Sequence, residues 1–212
     1  MIDSKRLAQI RRKDPVINTF TWQGLKDAPQ SVEERYNAHA MTHMSLGDTG
    51  KYLDTLERNI TKNKYSSVGA IVGPYGYGKT STAIHVWREM QEECGVLSVP
   101  PFEWLKLSDI LEAVTAWVEY KFAQGPRQHI PQLRAIYEQY RDKSLAEVAA
   151  DLGLELDVAR EAYQAGSINL GVTPANVIAF LMDVCELCTE HAGFSGLAVF
   201  VDELQETADK YA

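Results

Sequence analysis

The stretch that decides the fold lies between Gly73 and Thr80 and reads Gly73-Pro-Tyr-Gly-Tyr-Gly-Lys79-Thr80. Its glycines allow the backbone to turn so that successive N–H groups point inward, where they can bind an anion. The preceding residues, 67–72, are apolar and partly β-branched, which predicts a strand buried on both faces in a parallel sheet. Residues 79–93 predict a helix whose N-terminus favours negative charge. The order strand, glycine loop, helix therefore predicts a phosphate-binding site.

The fixed residues of this stretch match the P-loop pattern GxxxxGK[ST]. Lys79 is placed to neutralise the β- and γ-phosphates in catalysis, and the Thr80 hydroxyl to ligate Mg²⁺ beside them. Ser81 lies outside the metal-ligand position. The alternative is a glycine turn without a ligand, and the flanking strand and helix argue against it. The predicted nucleotide-binding residues are Gly73, Pro74, Tyr75, Gly76, Tyr77, Gly78, Lys79, Thr80 and Ser81.

A second motif follows the strongest strand signal in the sequence, residues 197–201, which is followed by the carboxylates Asp202 and Glu203. Ligands of open α/β folds bind at the carboxyl edge of the parallel sheet. Asp202 is predicted to hold the Mg²⁺ shell, and Glu203 to act as the catalytic base that orients the attacking water. This is the form of a Walker B motif. A solvated strand end is the alternative, which the P-loop makes the weaker interpretation.

Elsewhere the pattern is mostly helical. Residues 1–65 predict a helical lead-in, with a capping box that begins at Ser31. Residues 96–99 predict a strand that Pro100-Pro101 ends, because proline lacks the N–H of a sheet ladder. Ser108 then predicts the cap of a long helix, which Gly125-Pro126 terminates.

Residues from about 126 to 170 predict a helical insertion. The part that begins with a capping box at Ser144 resembles a helix-turn-helix, with Gly153 placed for the turn. Its would-be reading helix is acidic, which suits neither phosphates nor guanine edges, so we interpret it as a structural hairpin. Thr173-Pro174 predicts the start of a further helix, which reaches about His191.

Composition limits the partners and the compartment. The chain has 212 residues and a net charge of -8, which argues against an overall basic field for nucleic acid. A basic cluster in residues 5–13 predicts a solvated arm, with contact to nucleic acid or a partner as the alternative. Three cysteines and no membrane-length apolar run predict a cytoplasmic protein without a membrane anchor.

Cys185, Cys188 and His191 have the spacing of metal ligands. A structural zinc needs four ligands, so we interpret the two cysteines as part of the apolar stripe of a helix.

The two motifs together resemble the AAA+ and related ATPases of the P-loop superfamily, over roughly residues 51–204. The resemblance implies ATP and Mg²⁺ as ligands, a 5-1-4-3-2 strand order, and an oligomer with an arginine finger supplied in trans. The sequence is also similar to large phage-defence ATPases such as the ATP-binding subunits of BREX systems. The expected fold is α/β, a P-loop NTPase parallel sheet flanked by helices, with a lead-in over 1–65 and a core over 66–212. The sheet is expected to be incomplete, since no further strand follows Glu203.

An ATPase that couples turnover to work on nucleic acid or on partner proteins is the leading functional hypothesis. A nucleotide-gated switch or scaffold with little or no hydrolysis is the rival, in which the helical parts bind a partner. A small-molecule kinase is the third class, although it normally shows a lid bearing arginines soon after the core strands. Glu203 favours the ATPase, because hydrolysis needs a second carboxylate.

Overall fold

The computed structural model describes residues 20–41, 68–72 and 78–202. Within these residues a parallel sheet has the strand order β1-β2-β3. The strands are β1 (Phe20–Thr21), β2 (Leu97–Glu103) and β3 (Leu197–Val201). β2 is the central strand, because Phe102 pairs with Phe20 on one side and with Val201 on the other. The α/β class is therefore confirmed, and β2 and β3 are parallel neighbours.

Helices make up most of the described residues, and they lie in the sequence between β1 and β2 and between β2 and β3. A 3-10 turn at Arg127–His129 precedes α5, and a π-helical segment at Leu187–His191 continues α8. In the part of the chain that the structure describes, no helix combines the length and the apolar character needed to cross a membrane. The helices are α1 (Trp22–Asp27), α2 (Pro29–Ala40), α3 (Lys79–Cys94), α4 (Leu107–Gln124), α5 (Ile130–Tyr140), α6 (Leu145–Leu152), α7 (Leu156–Gln164) and α8 (Pro174–Glu186).

The main apolar core joins the lead-in helices to the rest of the described chain. Leu25 of α1 and Tyr36 of α2 are fully buried in the same cluster as Trp87 and Trp117. Tyr36 contacts Trp87 edge to face, and Trp87 contacts Trp117 in the same way, with ring centroids 6.0 Å apart in each pair. Such aromatic pairs add about 0.5–1.5 kcal/mol beyond the area they bury. The described lead-in, residues 20–41, is therefore packed into the sheet's own core.

Several sequence predictions are confirmed at the level of single residues. α3 ends at Cys94, and Gly95 follows with φ 64°, the left-handed conformation in which glycine lacks the strain of other residues. The Ser144 hydroxyl accepts the Glu147 N–H, which is the predicted capping box of α6. Thr173 caps α8 through the N–H of Asn176. These helix boundaries were predictable because their signals are local.

The strand predicted before the glycine loop is wrong for the residues that the structure describes. Ser67 lies outside them, and residues 68–72 form no strand. The side chains of Val68 and Val72 are exposed, with relative accessibilities of 102% and 88%. A strand needs a neighbour to pair its N–H and C=O groups. In the implied strand order a fourth strand lies beside this segment, and the described residues contain none in that position.

The strand predicted over 96–99 is longer than expected, because β2 continues through both prolines to Glu103. The pairing with β3 is irregular between Val99 and Phe102, so the ladder skips the residues that lack an N–H. The Tyr36 hydroxyl also donates to the Pro101 carbonyl at 2.9 Å. Pairing on both sides of β2 therefore overrides the local preference of proline to end a strand.

Two predicted helix starts lie too late in the sequence. α2 begins at Pro29 and not at Ser31, because proline fits the first helical position, where its missing N–H is not needed. α4 begins at Leu107, one residue before the predicted cap at Ser108. Its first turn is held by the Asp109 carboxylate, which accepts the N–H groups of Leu105 and Lys106.

Candidate functional site

The candidate site begins where α3 begins. Gly78 has φ 76°, a left-handed conformation that favours glycine, and Lys79 is the first residue of the helix. Lys79, Thr80 and Ser81 are half-buried in its first turn. In proteins generally, the N–H groups at the start of a helix and the helix dipole favour the binding of an anion. Of the predicted nucleotide-binding residues, Gly73, Pro74, Tyr75, Gly76 and Tyr77 lie outside the described residues.

Thr80 and Asp202 meet at this turn. The Thr80 hydroxyl donates to Oδ2 of Asp202 at 2.6 Å, although the two residues are 122 positions apart in the sequence. Asp202 directly follows β3, and its N–H donates to the Phe102 carbonyl at 3.0 Å, which continues the ladder with β2. The sheet therefore fixes the carboxylate, and the helix fixes the hydroxyl. The structure brings together both residues that the sequence assigns to Mg²⁺.

The donor set at this contact suits a hard cation. A hydroxyl oxygen and a carboxylate oxygen are the ligand types that Mg²⁺ selects, and Mg²⁺ is usually held by one or two carboxylates together with substrate phosphates. Thr80 and Asp202 supply such oxygens beside a helix N-terminus. They fit the ion that the P-loop pattern implies. Glu203, the predicted base, lies outside the described residues.

His39 is a site residue that sequence reasoning missed. Its Nε2 lies 2.9 Å from Oγ of Ser81, so the last turn of α2 contacts the first turn of α3. The ring nitrogen can donate or accept here, depending on the tautomer. The two residues are 42 positions apart in the sequence. The pairing of two helices at this distance leaves no mark in periodicity, so no sequence signal pointed to His39.

Glu103 is a second residue that sequence reasoning missed. It is the last residue of β2. Because Phe102 pairs with Val201, Glu103 and Asp202 both lie at the carboxyl ends of these neighbouring strands, at the same edge of the sheet. Burial first, and then the negative charges of Asp202 and Glu103, raise the pKa of the Tyr36 hydroxyl. A protonated Tyr36 keeps its hydrogen bond to Pro101. Glu103 could have been found from the sequence only by extending the strand through the two prolines.

The pair of cysteines in the C-terminal helical region lies in the core. Cys188 is fully buried, and burial raises the pKa of its thiol to about 12. Zinc binds the thiolate, so a thiol held protonated in apolar surroundings is a poor ligand. Cys185 is half-buried on the same helical stretch. Over residues 20–41, 68–72 and 78–202, no three His, Cys, Asp or Glu side chains converge on a point that could hold a metal.

Comparison of the chain with protein-family models, with curated proteins and with solved structures gave no match in any of the three. The chemistry of the site therefore has to be inferred from its own residues. Those residues are a lysine and a threonine at a helix N-terminus, a carboxylate at the end of the neighbouring strand, and a second carboxylate one strand further on.

Proposed function

We propose that this chain binds ATP together with Mg²⁺ and belongs to an ATPase that couples hydrolysis to work on nucleic acid or on partner proteins. The observation that carries the proposal is the hydrogen bond of 2.6 Å between Thr80 and Asp202. Each was assigned to the metal from a different motif, and a solvated strand end would have no reason to meet a glycine-loop helix. Their contact supports the joint interpretation of the two motifs.

In the proposed site the first turn of α3 binds the phosphates. Its N–H groups and the Lys79 amine offset their negative charge, and charge-assisted hydrogen bonds of this kind are worth about 1.5–3 kcal/mol each. Thr80 and Asp202 would hold Mg²⁺, which supplies charge stabilisation at the transferring phosphoryl group. Glu203 would take the proton of the attacking water. The phage-defence resemblance stays a prediction, because no related protein ties this chain to a process.

A nucleotide-gated switch is the second candidate, and the contact between His39 and Ser81 favours it. The contact links the phosphate-binding turn of α3 directly to the lead-in helices. A change at Ser81 on nucleotide binding would therefore reach α2 without any hydrolysis. The two candidates share one binding site, and turnover separates them.

The test is a calorimetric titration of Mg·ATP into the full chain, with phosphate release followed in the same samples. Lys79→Ala should weaken ATP binding at least about tenfold, which corresponds to about 1.4 kcal/mol. Arg88→Ala is the matched control. Arg88 lies on the same helix but beyond its first turn, and it forms an ion pair of 2.8 Å with Glu92. A folded wild-type chain that binds no ATP contradicts the proposal. Binding without phosphate release selects the switch.

A further inference from the structure

The helical hairpin formed by α6 and α7 protrudes from the rest of the described chain. Its two helices pack on each other, and their only fully buried residues are Ala149 and Ala159. Every residue from 150 to 158 is exposed. Arg141 and Lys143, which precede α6, pair with Glu147 and Asp151 of that helix at 2.5 and 2.7 Å. These ion pairs connect α6 to the segment before it, and the turn between the two helices is open to solvent.

The tip of the hairpin carries an apolar patch, which we call the hairpin patch. Large apolar side chains left in water forgo the stabilisation that burial would provide. Exposed patches of large apolar side chains often mark interaction sites. Four such side chains lie in or beside the turn that joins α6 to α7. The members of the patch and their exposed fractions are Leu152 57%, Leu154 37%, Leu156 45% and Val158 49%.

The rim of the hairpin patch is acidic. Glu155, Asp157 and Glu161 are all exposed there, and the nearby basic residue, Arg160, already pairs with Asp157 at 2.8 Å. Like charges across an interface are unfavourable, so two hairpins would repel one another and nucleic-acid phosphates would be repelled too. The rim instead complements a segment that is both apolar and basic.

The stretch of this chain that combines that chemistry with the most basic residues runs from Lys5 to Lys13 and reads Lys5-Arg-Leu-Ala-Gln-Ile-Arg-Arg-Lys13. It contains five basic residues and no acidic residue, in a chain whose net charge is -8. The apolar residues Leu7 and Ile10 lie between its basic residues in the sequence. The apolar residues of segment 5–13 therefore suit the hairpin patch, and its positive charges are opposite to the negative charges of the rim.

We propose that the hairpin patch is the docking surface for the basic segment 5–13 of this protein, from the same chain or from a second copy. Leu7 and Ile10 would cover the exposed leucines, and the flanking arginines and lysines would lie against Glu155, Asp157 and Glu161. Charge pairs at the rim would set the orientation, and apolar contact at the centre would supply most of the affinity. The inference stands apart from nucleotide binding, since it involves neither Thr80 nor Asp202.

Zero-length carbodiimide cross-linking of the full chain, read by peptide mass spectrometry, tests this directly. The reagent joins a lysine amine to a carboxylate only where the two are in contact. We expect cross-links from Lys5 or Lys13 to Glu155, Asp157 or Glu161. A mixture of isotope-labelled and unlabelled chains distinguishes contacts within one chain from contacts between two copies, and both agree with the proposal.

Paired variants make the experiment specific. Leu154→Ser with Leu156→Ser removes the centre of the hairpin patch and should abolish these cross-links, while circular dichroism verifies that the fold is kept. Ile178→Ser with Met182→Ser is the matched control, because both are exposed on α8, at 62% and 64%, and the cross-links should remain. The proposal is overturned if the cross-links do not form, if they persist in the hairpin variant, or if other lysines of the chain react equally with the rim.

Discussion

At the scale of single residues, the contact between His39 and Ser81 ties the lead-in to the candidate site. Replacing His39 by alanine removes a hydrogen bond of 2.9 Å to the first turn of α3. Since a net hydrogen bond is worth about 0.5–1.5 kcal/mol, we expect ATP affinity to fall about threefold to tenfold. His39→Gln keeps an N–H donor and should restore most of the loss. Calorimetry of ATP binding measures both.

A double-mutant cycle shows whether His39 acts through Ser81. The variant with both His39→Ala and Ser81→Ala should bind ATP no more weakly than either single variant, because the two residues share one interaction. Losses that add in full would mean that the residues act separately. An unchanged affinity in His39→Ala would show that the contact does not position the phosphate-binding turn.

Two glutamates are candidates for the catalytic base, and substitution of each one gives a different expected result. Glu203 follows Asp202 in the sequence, whereas Glu103 ends the neighbouring strand. Glu203→Gln should lower the rate of phosphate release by about 10²–10⁴-fold while ATP still binds, as expected for loss of a general base. Glu103→Gln should cost much less. If the rate falls in Glu103→Gln and survives in Glu203→Gln, the base is Glu103.

At the scale of elements, Tyr36 links α2 to two strands. Its hydroxyl accepts the N–H of Phe20 at 3.0 Å and donates to the Pro101 carbonyl at 2.9 Å. Tyr36→Phe leaves both backbone groups without this partner, so it should lower the free energy of unfolding by about 1–3 kcal/mol, as measured in urea. Tyr137→Phe is the control, since the Tyr137 ring packs against the same core while remaining half-buried. An equal loss of unfolding free energy in the two variants would show that the hydrogen bonds of the Tyr36 hydroxyl do not contribute to stability.

The elements also show that local sequence signals are sufficient to predict helices but not strands. α3 and α4 were predicted closely, because a helix satisfies its own backbone and its apolar face repeats every three to four residues. Strands depend on partners that the local pattern does not contain. Residues 68–72 have the composition of a buried strand but no neighbour among the described strands, while β2 runs through two prolines because it has a neighbour on each side.

At the scale of the whole molecule, the candidate site was predictable only where its residues belong to motifs. Thr80 and Asp202 follow from the glycine loop and from the strand that ends in carboxylates, and the structure brings them into contact. His39 and Glu103 reach the same region through helix packing and strand pairing between distant segments. Such long-range contacts arise from the tertiary fold, so one sequence read by local patterns does not contain them.

The central claim is that Thr80 and Asp202 together hold Mg²⁺ beside a bound nucleotide. The most direct measurement is ATP affinity with and without Mg²⁺, in the wild-type chain and in Asp202→Asn, which keeps the shape of the side chain and removes its charge. The account predicts that Mg²⁺ strengthens ATP binding in the wild type and that Asp202→Asn loses most of this gain, while its Mg²⁺-free affinity is unchanged. A gain of equal size in both chains would contradict the account.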